Sequence, residues 1–218
     1  DQHADGEEGF AIADTGLFMP QTTAVWKNLF EEGALKGQRA TKIIVTHYHP
    51  DHVGCAGWLC KRFKAPLHMN RTEWLMTRML TLDNDGDVPE EILDDWRFAG
   101  WNQRQIDDFA KKGWGRFARA VSQVPLGHIR MEEGTRVSTG NHTWRVMIGS
   151  GHTPEHACLI DDENHVMISG DQILPRITSN ISTMISEPTA DPMGEWLDSI
   201  KHFRAEIDPN LLILPAHG

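Results

Sequence analysis

The sequence has few cysteines, and their spacing argues against a disulfide-based fold. Three cysteines occur in 218 residues, an odd number without the pattern of a disulfide framework. Four residues separate Cys55 from Cys60, unlike the two of a C-x-x-C metal or redox pair. We therefore predict that these two thiols and that of Cys158 pack in the core of a protein from a reducing compartment, the cytoplasm.

Long apolar runs and a basic excess are also absent. No stretch reaches the roughly 20 apolar residues of a membrane-spanning helix, and the N-terminus has neither the basic start nor the apolar middle of a signal peptide. Lys and Arg number 21 against 31 Asp and Glu, a formal charge of −10, which repels phosphate backbones and anionic lipids. We expect a soluble protein with a small-molecule substrate and no nucleic-acid or membrane partner.

Strand and helix signals alternate through the first third of the chain. The stretch GFAIADTG reads as a half-buried strand, and a helix follows that begins near Pro20, with Val25, Leu29 and Leu35 on one stripe. TKIIVT is a short β-branched strand, and another helix is predicted directly after His52. With 39% hydrophobic residues, the chain supports one substantial core, so a single domain is predicted over residues 1–218.

A helical insertion is predicted at about residues 71–124, where long, charged, helix-favouring segments replace this alternation. Four of the eight tryptophans lie there. They serve either as core anchors of the helices or, for one or two of them, as the roof of a neighbouring pocket. After the insertion, strand signals separated by short turns predict a mostly antiparallel sheet, then an amphipathic helix after Asp191 and a last buried strand in NLLILPAHG.

The most unusual stretch is THYHPDH, which places three histidines and an aspartate directly after a buried strand. Such a loop is a metal site, a proton relay or a polar turn. Imidazole and carboxylate groups also follow three later strands, and these groups are the usual ligands of Zn²⁺, Mn²⁺ and Fe²⁺. The candidate metal ligands are His47, His49, Asp51, His52, His152, Asp171 and His217.

These motifs resemble those of the metallo-β-lactamase-fold superfamily, and most closely its glyoxalase-II-like hydrolases. THYHPDH is similar to the HxHxDH signature, GHTPEH to the GHTPGH loop, and the Asp171 and His217 segments to the two remaining ligand positions. The resemblance extends from Asp14 to His217 and implies an α/β fold, an αββα sandwich carrying the helical insertion. It departs from the family pattern at Glu155, which stands where glycine is usual.

The resemblance also implies two divalent ions, Zn²⁺ first and Mn²⁺ or Fe²⁺ as alternatives. His47, His49 and His152 would hold one ion and Asp51, His52 and His217 the other, with Asp171 bridging them. Asp14 would support the ligand loop or, equally, cap a turn.

A hydroxide bridging this metal pair would attack a thioester, ester or lactone carbonyl. Asp51 would orient that hydroxide, and Asp171 would hold the metal pair, so these two aspartates are the candidate catalytic residues. Arg176 and Asn180, just beyond Asp171, are candidate substrate contacts or, alternatively, ordinary surface residues.

Two other reactions stay open. His47, His152 and Asp171 form a two-histidine, one-carboxylate set that suits a mononuclear-iron persulfide dioxygenase, and paired metals also serve phosphodiesterases and nucleases, which the acidic balance disfavours. The ends of the sequence further suggest a fragment without its flanking segments, because the chain stops one residue after His217.

Overall fold

The structure is a computed structural model that describes residues 9–83 and 86–218. Its strands form two sheets, one of four strands in the order β1-β2-β3-β4 and one of five strands in the order β5-β6-β7-β8-β9. The first sheet contains β1 (Phe10–Ala13), β2 (Ala40–Ile44), β3 (Leu67–Met69) and β4 (Ile129–Arg130). The second contains β5 (Arg136–Thr139), β6 (His142–Gly149), β7 (His156–Asp161), β8 (Val166–Gly170) and β9 (Leu212–Pro215).

The chain forms four layers, helices, sheet, sheet and helices, and the alternating directions of side chains along the strands show this. In β2, Ile43 packs on one side with the helices that follow β1 and β2, whereas Ile44 packs on the other side with residues of the second sheet. In β6, Val146 belongs to the same inter-sheet cluster, and Met147 packs outward against Phe203 of the last helix. Because successive strand residues face opposite sides of a sheet, this pattern places helices outside both sheets, and the predicted αββα sandwich is confirmed.

The first sheet is parallel throughout its described pairs, so helices cross between its strands. These are α1 (Pro20–Glu31), α2 (Pro50–Val53) and α3 (Ala56–Phe63). The predicted stripe of α1 is wrong at Val25, which is 61% exposed. Trp26 and Phe30, with ring centroids 5.7 Å apart, form the buried face instead, because two aromatic rings bury more apolar surface than the aliphatic side chains beside them.

The second sheet is an antiparallel meander from β5 to β8, with β9 added parallel to β8. Every residue of β7 is buried, and the predicted hairpin turn joins it to β8. The prediction that β9 is buried is wrong, since Leu212 and Leu214 are 60% and 44% exposed. The strand is at the sheet edge, where only one side of its backbone is paired.

Four helices lie between β3 and β4, in the region of the predicted insertion: α4 (Arg71–Leu82), α5 (Glu90–Phe98), α6 (Gln103–Ala110) and α7 (Arg116–Ala120). Trp96 and Trp101 stack at 5.4 Å, and both meet the edge of Phe109. Trp74 stacks on His128. These contacts match the interpretation of the tryptophans as anchors of the helical region.

The remaining helix, α8 (Pro192–Glu206), covers the second sheet, and Asp191 caps its start by accepting a hydrogen bond from the Gly194 amide. All three cysteines are free and buried, as the sequence predicts. Residues 9–83 and 86–218 contain no helix that is long and apolar enough to cross a membrane.

Candidate metal centre

All seven predicted ligands lie in segments that directly follow strands of the two sheets. His47, His49, Asp51 and His52 come after β2, and the last two of them lie within α2. The remaining three follow β6, β8 and β9, in that order: His152, Asp171 and His217. Strand ends of both sheets therefore bring together residues up to 170 positions apart, and the structure collects them into two adjoining groups.

The first group consists of His47, His49, His152 and Asp171. His49 Nδ1 lies 3.0 Å from His47 Nε2 and 3.1 Å from His152 Nε2. The two Nε2 atoms are 3.3 Å apart, and Asp171 Oδ2 is 3.4 Å from that of His152. Ligand atoms at about 2.0–2.1 Å from a tetrahedral zinc ion are themselves about 3.3 Å apart, so this group has the dimensions of a metal site.

The second group consists of Asp51, His52 and His217. Asp51 Oδ2 lies 3.3 Å from His217 Nε2 and 3.6 Å from His52 Nε2. Asp171 Oδ1 is 3.4 Å from the Nε2 atoms of both histidines. Asp171 therefore presents Oδ2 to the first group and Oδ1 to the second.

Two atoms between the groups are buried and have no hydrogen-bond partner among the described residues: His52 Nε2 and Asp171 Oδ1. Buried polar atoms are ordinarily paired, and an unpaired one is costly. Asp171 Oδ1 bears lone pairs, and His52 Nε2 does so once it loses its proton, so a divalent cation accepts both atoms as ligands. The side chains present thus fit the metal ions that the sequence predicts.

Asp14 holds the loop after β2 from behind. Its Oδ1 accepts a hydrogen bond from the Thr46 amide at 2.9 Å, and its Oδ2 accepts from the Thr46 hydroxyl at 2.9 Å and from His52 Nδ1 at 2.8 Å. Since that hydroxyl donates to Asp14, it accepts a hydrogen bond from His47 Nδ1 at 2.9 Å. The outer nitrogens of both imidazoles therefore carry the proton, and their Nε2 atoms are directed at the centre.

The pKa values of His47 and His49 shift in the opposite direction to that of His52. Burial lowers the pKa of His49 to about 4 and that of His47 well below its usual range, so both are neutral and retain lone pairs. Burial acts in the same direction on His52, but the hydrogen bond to Asp14 and the negative charge of Asp171, 3.4 Å from Nε2, outweigh it and raise the His52 pKa to about 10. A cation at the second group would replace the Nε2 proton of His52.

A buried glutamate that the sequence did not reveal connects two ligand loops. Glu73, in the first turn of α4, is fully buried. Its Oε2 accepts a hydrogen bond from the Tyr48 amide at 2.9 Å, and its Oε1 accepts from the Glu155 amide at 2.7 Å. Glu155 Oε2 in turn accepts from the Thr72 amide at 3.1 Å. No sequence signal could have identified this role, because both acceptor bonds of Glu73 go to the main chain of distant loops.

His156 was also missed as a functional candidate. It is completely buried, its ring stacks on His47 at 4.6 Å, and its Nε2 accepts a hydrogen bond from the Asp171 amide at 3.1 Å. It therefore orients two ligands without being one. The signal was available in the sequence, since His156 closes the GHTPEH motif.

The two predicted substrate contacts lie in different surroundings. Asn180 contacts the ligand His152 through its main chain: His152 Nδ1 donates a hydrogen bond to the Asn180 carbonyl at 2.7 Å. Asn180 also lines an open cleft of about 360 Å³ beside His49 and His152. Arg176 is exposed and is not among the residues that line this cleft. A contact of either side chain with a substrate stays a prediction.

Two facing sheets with a cluster of histidines and carboxylates at their strand ends define an α/β protein with a candidate metal site. A sequence model of the metallo-beta-lactamase superfamily matches residues 4–217. The chain belongs to this superfamily.

The chain is also similar to solved structures and to a curated protein. A beta-lactamase domain protein from Burkholderia ambifaria is 32% identical with a TM-score of 0.84, over 100% of this chain and 60% of that one. TTHA1623, crystallised in a di-iron-bound form, is 22% identical with a TM-score of 0.62, over 100% of this chain and 85% of that one. An uncharacterized protein of Aquifex aeolicus is 26% identical over 63% of this chain and 51% of its own length. The chain thus spans about half of the curated relative and 60% of the Burkholderia protein.

Proposed function

We propose that the protein is a binuclear metal-dependent hydrolase that cleaves a thioester, ester or lactone. The observation that carries this proposal is the position of Asp171, whose two oxygens lie 3.4 Å from imidazole nitrogens of two different ligand groups. A carboxylate placed in this way suits two cations better than one. The di-iron-bound form of TTHA1623 supports the same number of ions.

Two divalent ions held by these groups would acidify a water molecule and polarise the carbonyl under attack. The protein's own part is to hold that water and the substrate. Asp51 is the more accessible of the two candidate catalytic carboxylates, with 44% of its side chain exposed against 11% for Asp171. Asp51 would accept a hydrogen bond from the attacking water and orient its lone pair toward the carbonyl.

The neutral histidines of the first group act as ligands and not as proton carriers, because burial holds the pKa values of His47 and His49 far below neutrality. The donor set of imidazoles and carboxylates suits Zn²⁺, with Mn²⁺ and Fe²⁺ as alternatives. The glyoxalase-II-like branch is the most similar set of hydrolases by motif, and we carry its reaction type to this chain as part of the proposal.

The mononuclear-iron dioxygenase is the second candidate. His47, His152 and Asp171 do lie within one group, as that reaction needs. Against it, His49 Nδ1 is as near to the other two histidines as they are to each other, and the second group is complete. A phosphodiesterase or nuclease is less well supported, because no Lys or Arg is among the residues that line the cleft beside the centre.

Metal content decides between these reactions. In protein purified without added metal, we expect two equivalents of zinc, manganese or iron per chain, and turnover within a panel of thioesters, esters and lactones. Asp171→Ala should remove bound metal and activity together, whereas Asp208→Ala, on an exposed turn, should leave both unchanged. Full metal content and turnover in Asp171→Ala would refute the bridging role. One equivalent of iron with oxygen consumption on persulfides would favour the dioxygenase.

A further inference from the structure

The cleft beside the first ligand group is large enough for a small substrate. Its volume of about 360 Å³ lies within the range of small-molecule sites, roughly 300–1,000 Å³. Both His49 and His152 line it, so a molecule bound there would reach the candidate metal centre directly. Tyr48 and Met184 contribute apolar surface to its lining.

The charged side chains of this cleft all have one sign. Three glutamates line it, Glu155, Glu187 and Glu195, and none of its lining residues is Lys or Arg. The chain as a whole is also acidic, with a formal charge of −10. The metal ions proposed beside His49 and His152 add positive charge on that side of the cleft. The carboxylates concentrate cations and repel anions around themselves, because the potentials of like charges add at the surface.

The three carboxylates differ in how firmly they are held. Glu155 is fixed, since its Oε2 accepts a hydrogen bond from the Thr72 amide at 3.1 Å. Glu187 and Glu195 are exposed, and neither side chain makes a hydrogen bond or an ion pair with residues 9–83 or 86–218. These two carboxylates are free to meet a ligand, and they can be neutralised without breaking a contact of the fold.

We infer that the cleft selects substrates that carry a positive charge, such as an ammonium group, on the side away from the scissile carbonyl. This inference rests on the proposed hydrolase function and narrows its substrate class. The carbonyl end would meet the centre at His49 and His152, and the cationic end would meet the glutamates. Thioesters whose leaving group bears carboxylates or phosphates would face like charges.

The test compares three thioacetates of similar size on the metal-loaded protein: acetylthiocholine, its uncharged isostere S-(3,3-dimethylbutyl) thioacetate, and anionic S-acetyl-3-mercaptopropionate. Thiol release at low ionic strength gives kcat/KM for each. We expect the cation to be the best substrate and the anion the poorest. In the double variant Glu187→Gln/Glu195→Gln, the cation-to-neutral ratio should fall about three- to tenfold, the range for two partly solvated charge contacts.

A matched control separates the cleft from overall charge. Glu32→Gln/Glu163→Gln removes the same two charges from exposed positions outside the cleft and should leave the ratio unchanged. An anion or neutral preference, or a ratio that both double variants lower equally, would overturn the inference.

A binding measurement distinguishes failure of the charge-selection inference from failure of the proposed hydrolase function. If none of the three thioacetates is cleaved, hydrolysis of small thioacetates is contradicted. The charge selectivity of the cleft is then tested by saturation-transfer NMR with choline and 3,3-dimethylbutanol. Stronger binding of choline that Glu187→Gln/Glu195→Gln weakens would support the charge selection. Equal binding of the two molecules would refute it.

Discussion

Replacing Glu73 by glutamine removes one buried charge at nearly constant shape. The carboxylate accepts hydrogen bonds from the Tyr48 and Glu155 amides. A glutamine offers one oxygen, so one amide would face an NH₂ group instead of an acceptor. In acid solution Glu73 is a neutral carboxylic acid, because its pKa is about 7. A hydrogen bond between neutral groups contributes about 0.5–1.5 kcal/mol, and Glu73→Gln should cost about that much there.

This cost should shrink as the pH rises and should reverse by pH 8, where the wild-type protein buries a carboxylate. Burial raises the pKa of Glu73 from 4.5 to about 7, against the opposing effect of its hydrogen bonds. A carboxyl group whose folded pKa exceeds its unfolded pKa stabilises the fold fully below the unfolded value and loses that contribution as the pH rises through the folded value. With these two pKa values, the loss for the wild-type protein between pH 5 and pH 8 is about 2–3 kcal/mol.

Urea unfolding at pH 5, 6, 7 and 8, followed by tryptophan fluorescence, measures the difference between the wild-type protein and Glu73→Gln. We expect that difference to decrease by about 2–3 kcal/mol over this range. Glu91→Gln, which removes an exposed charge on α5, should show no such trend. A difference that is constant, or that grows with pH, would show that Glu73 is ionised throughout and that the reasoning is wrong.

Three further perturbations test the centre and the helical region. Asp14→Asn should weaken metal binding about 10- to 100-fold, because Asp14 orients the His47 and His52 imidazoles. Competition with a chromophoric chelator measures the affinity. Equal affinities in Asp14→Asn and the surface control Asp162→Asn would contradict this role. Gly151 has φ +95°, and a Cβ there would lie 2.4 Å from another side-chain atom, so Gly151→Ala should lower thermal stability more than Gly134→Ala, where φ is +75° in open space. Trp101→Ala should cost about 2–4 kcal/mol in urea unfolding without changing metal content or substrate ranking, and an altered ranking would place the helices in the substrate site.

The ligand positions could be predicted from the sequence because each follows a strand that its own residues specify. β-branched runs fix where the strands end. In the second sheet, β6 and β8 both pair antiparallel with β7 and so run in the same direction, and β9 runs parallel to β8, which brings the ends of these three strands to one edge. Edge effects were harder to predict: Leu212 and Leu214 look like core residues in sequence, but β9 lies at the end of its sheet. Whether a strand is central or peripheral depends on pairing partners far along the chain, and no local pattern contains that information.

The supporting role of Glu73 could not be predicted for a related reason, and His156 could be found only through its place in the GHTPEH motif. Glu73 and His156 act on backbone amides, those of Tyr48 and Glu155 in the first case and that of Asp171 in the second. An amide is present at every residue except proline, so a side chain that binds one leaves no complementary residue type to search for. Metal ligands are recognisable because the chemistry restricts them to a few side chains; their supports are not restricted in this way.

Glu155 shows how a departure from the family pattern is accommodated. Glycine is usual at this position in the related motif, and a glycine would offer no side chain to the helical insertion. Here the Glu155 carboxylate accepts from the Thr72 amide in the first turn of α4, and the Glu155 amide donates to Glu73 in the same turn. The first turn of a helix has unpaired amides and a partial positive charge, both of which a carboxylate satisfies. The loop that carries His152 is thereby joined to the insertion by two reciprocal bonds. Because the same glutamate contributes to the acidic lining of the cleft, one substitution both anchors the loop and adds to the charge that we propose selects the substrate.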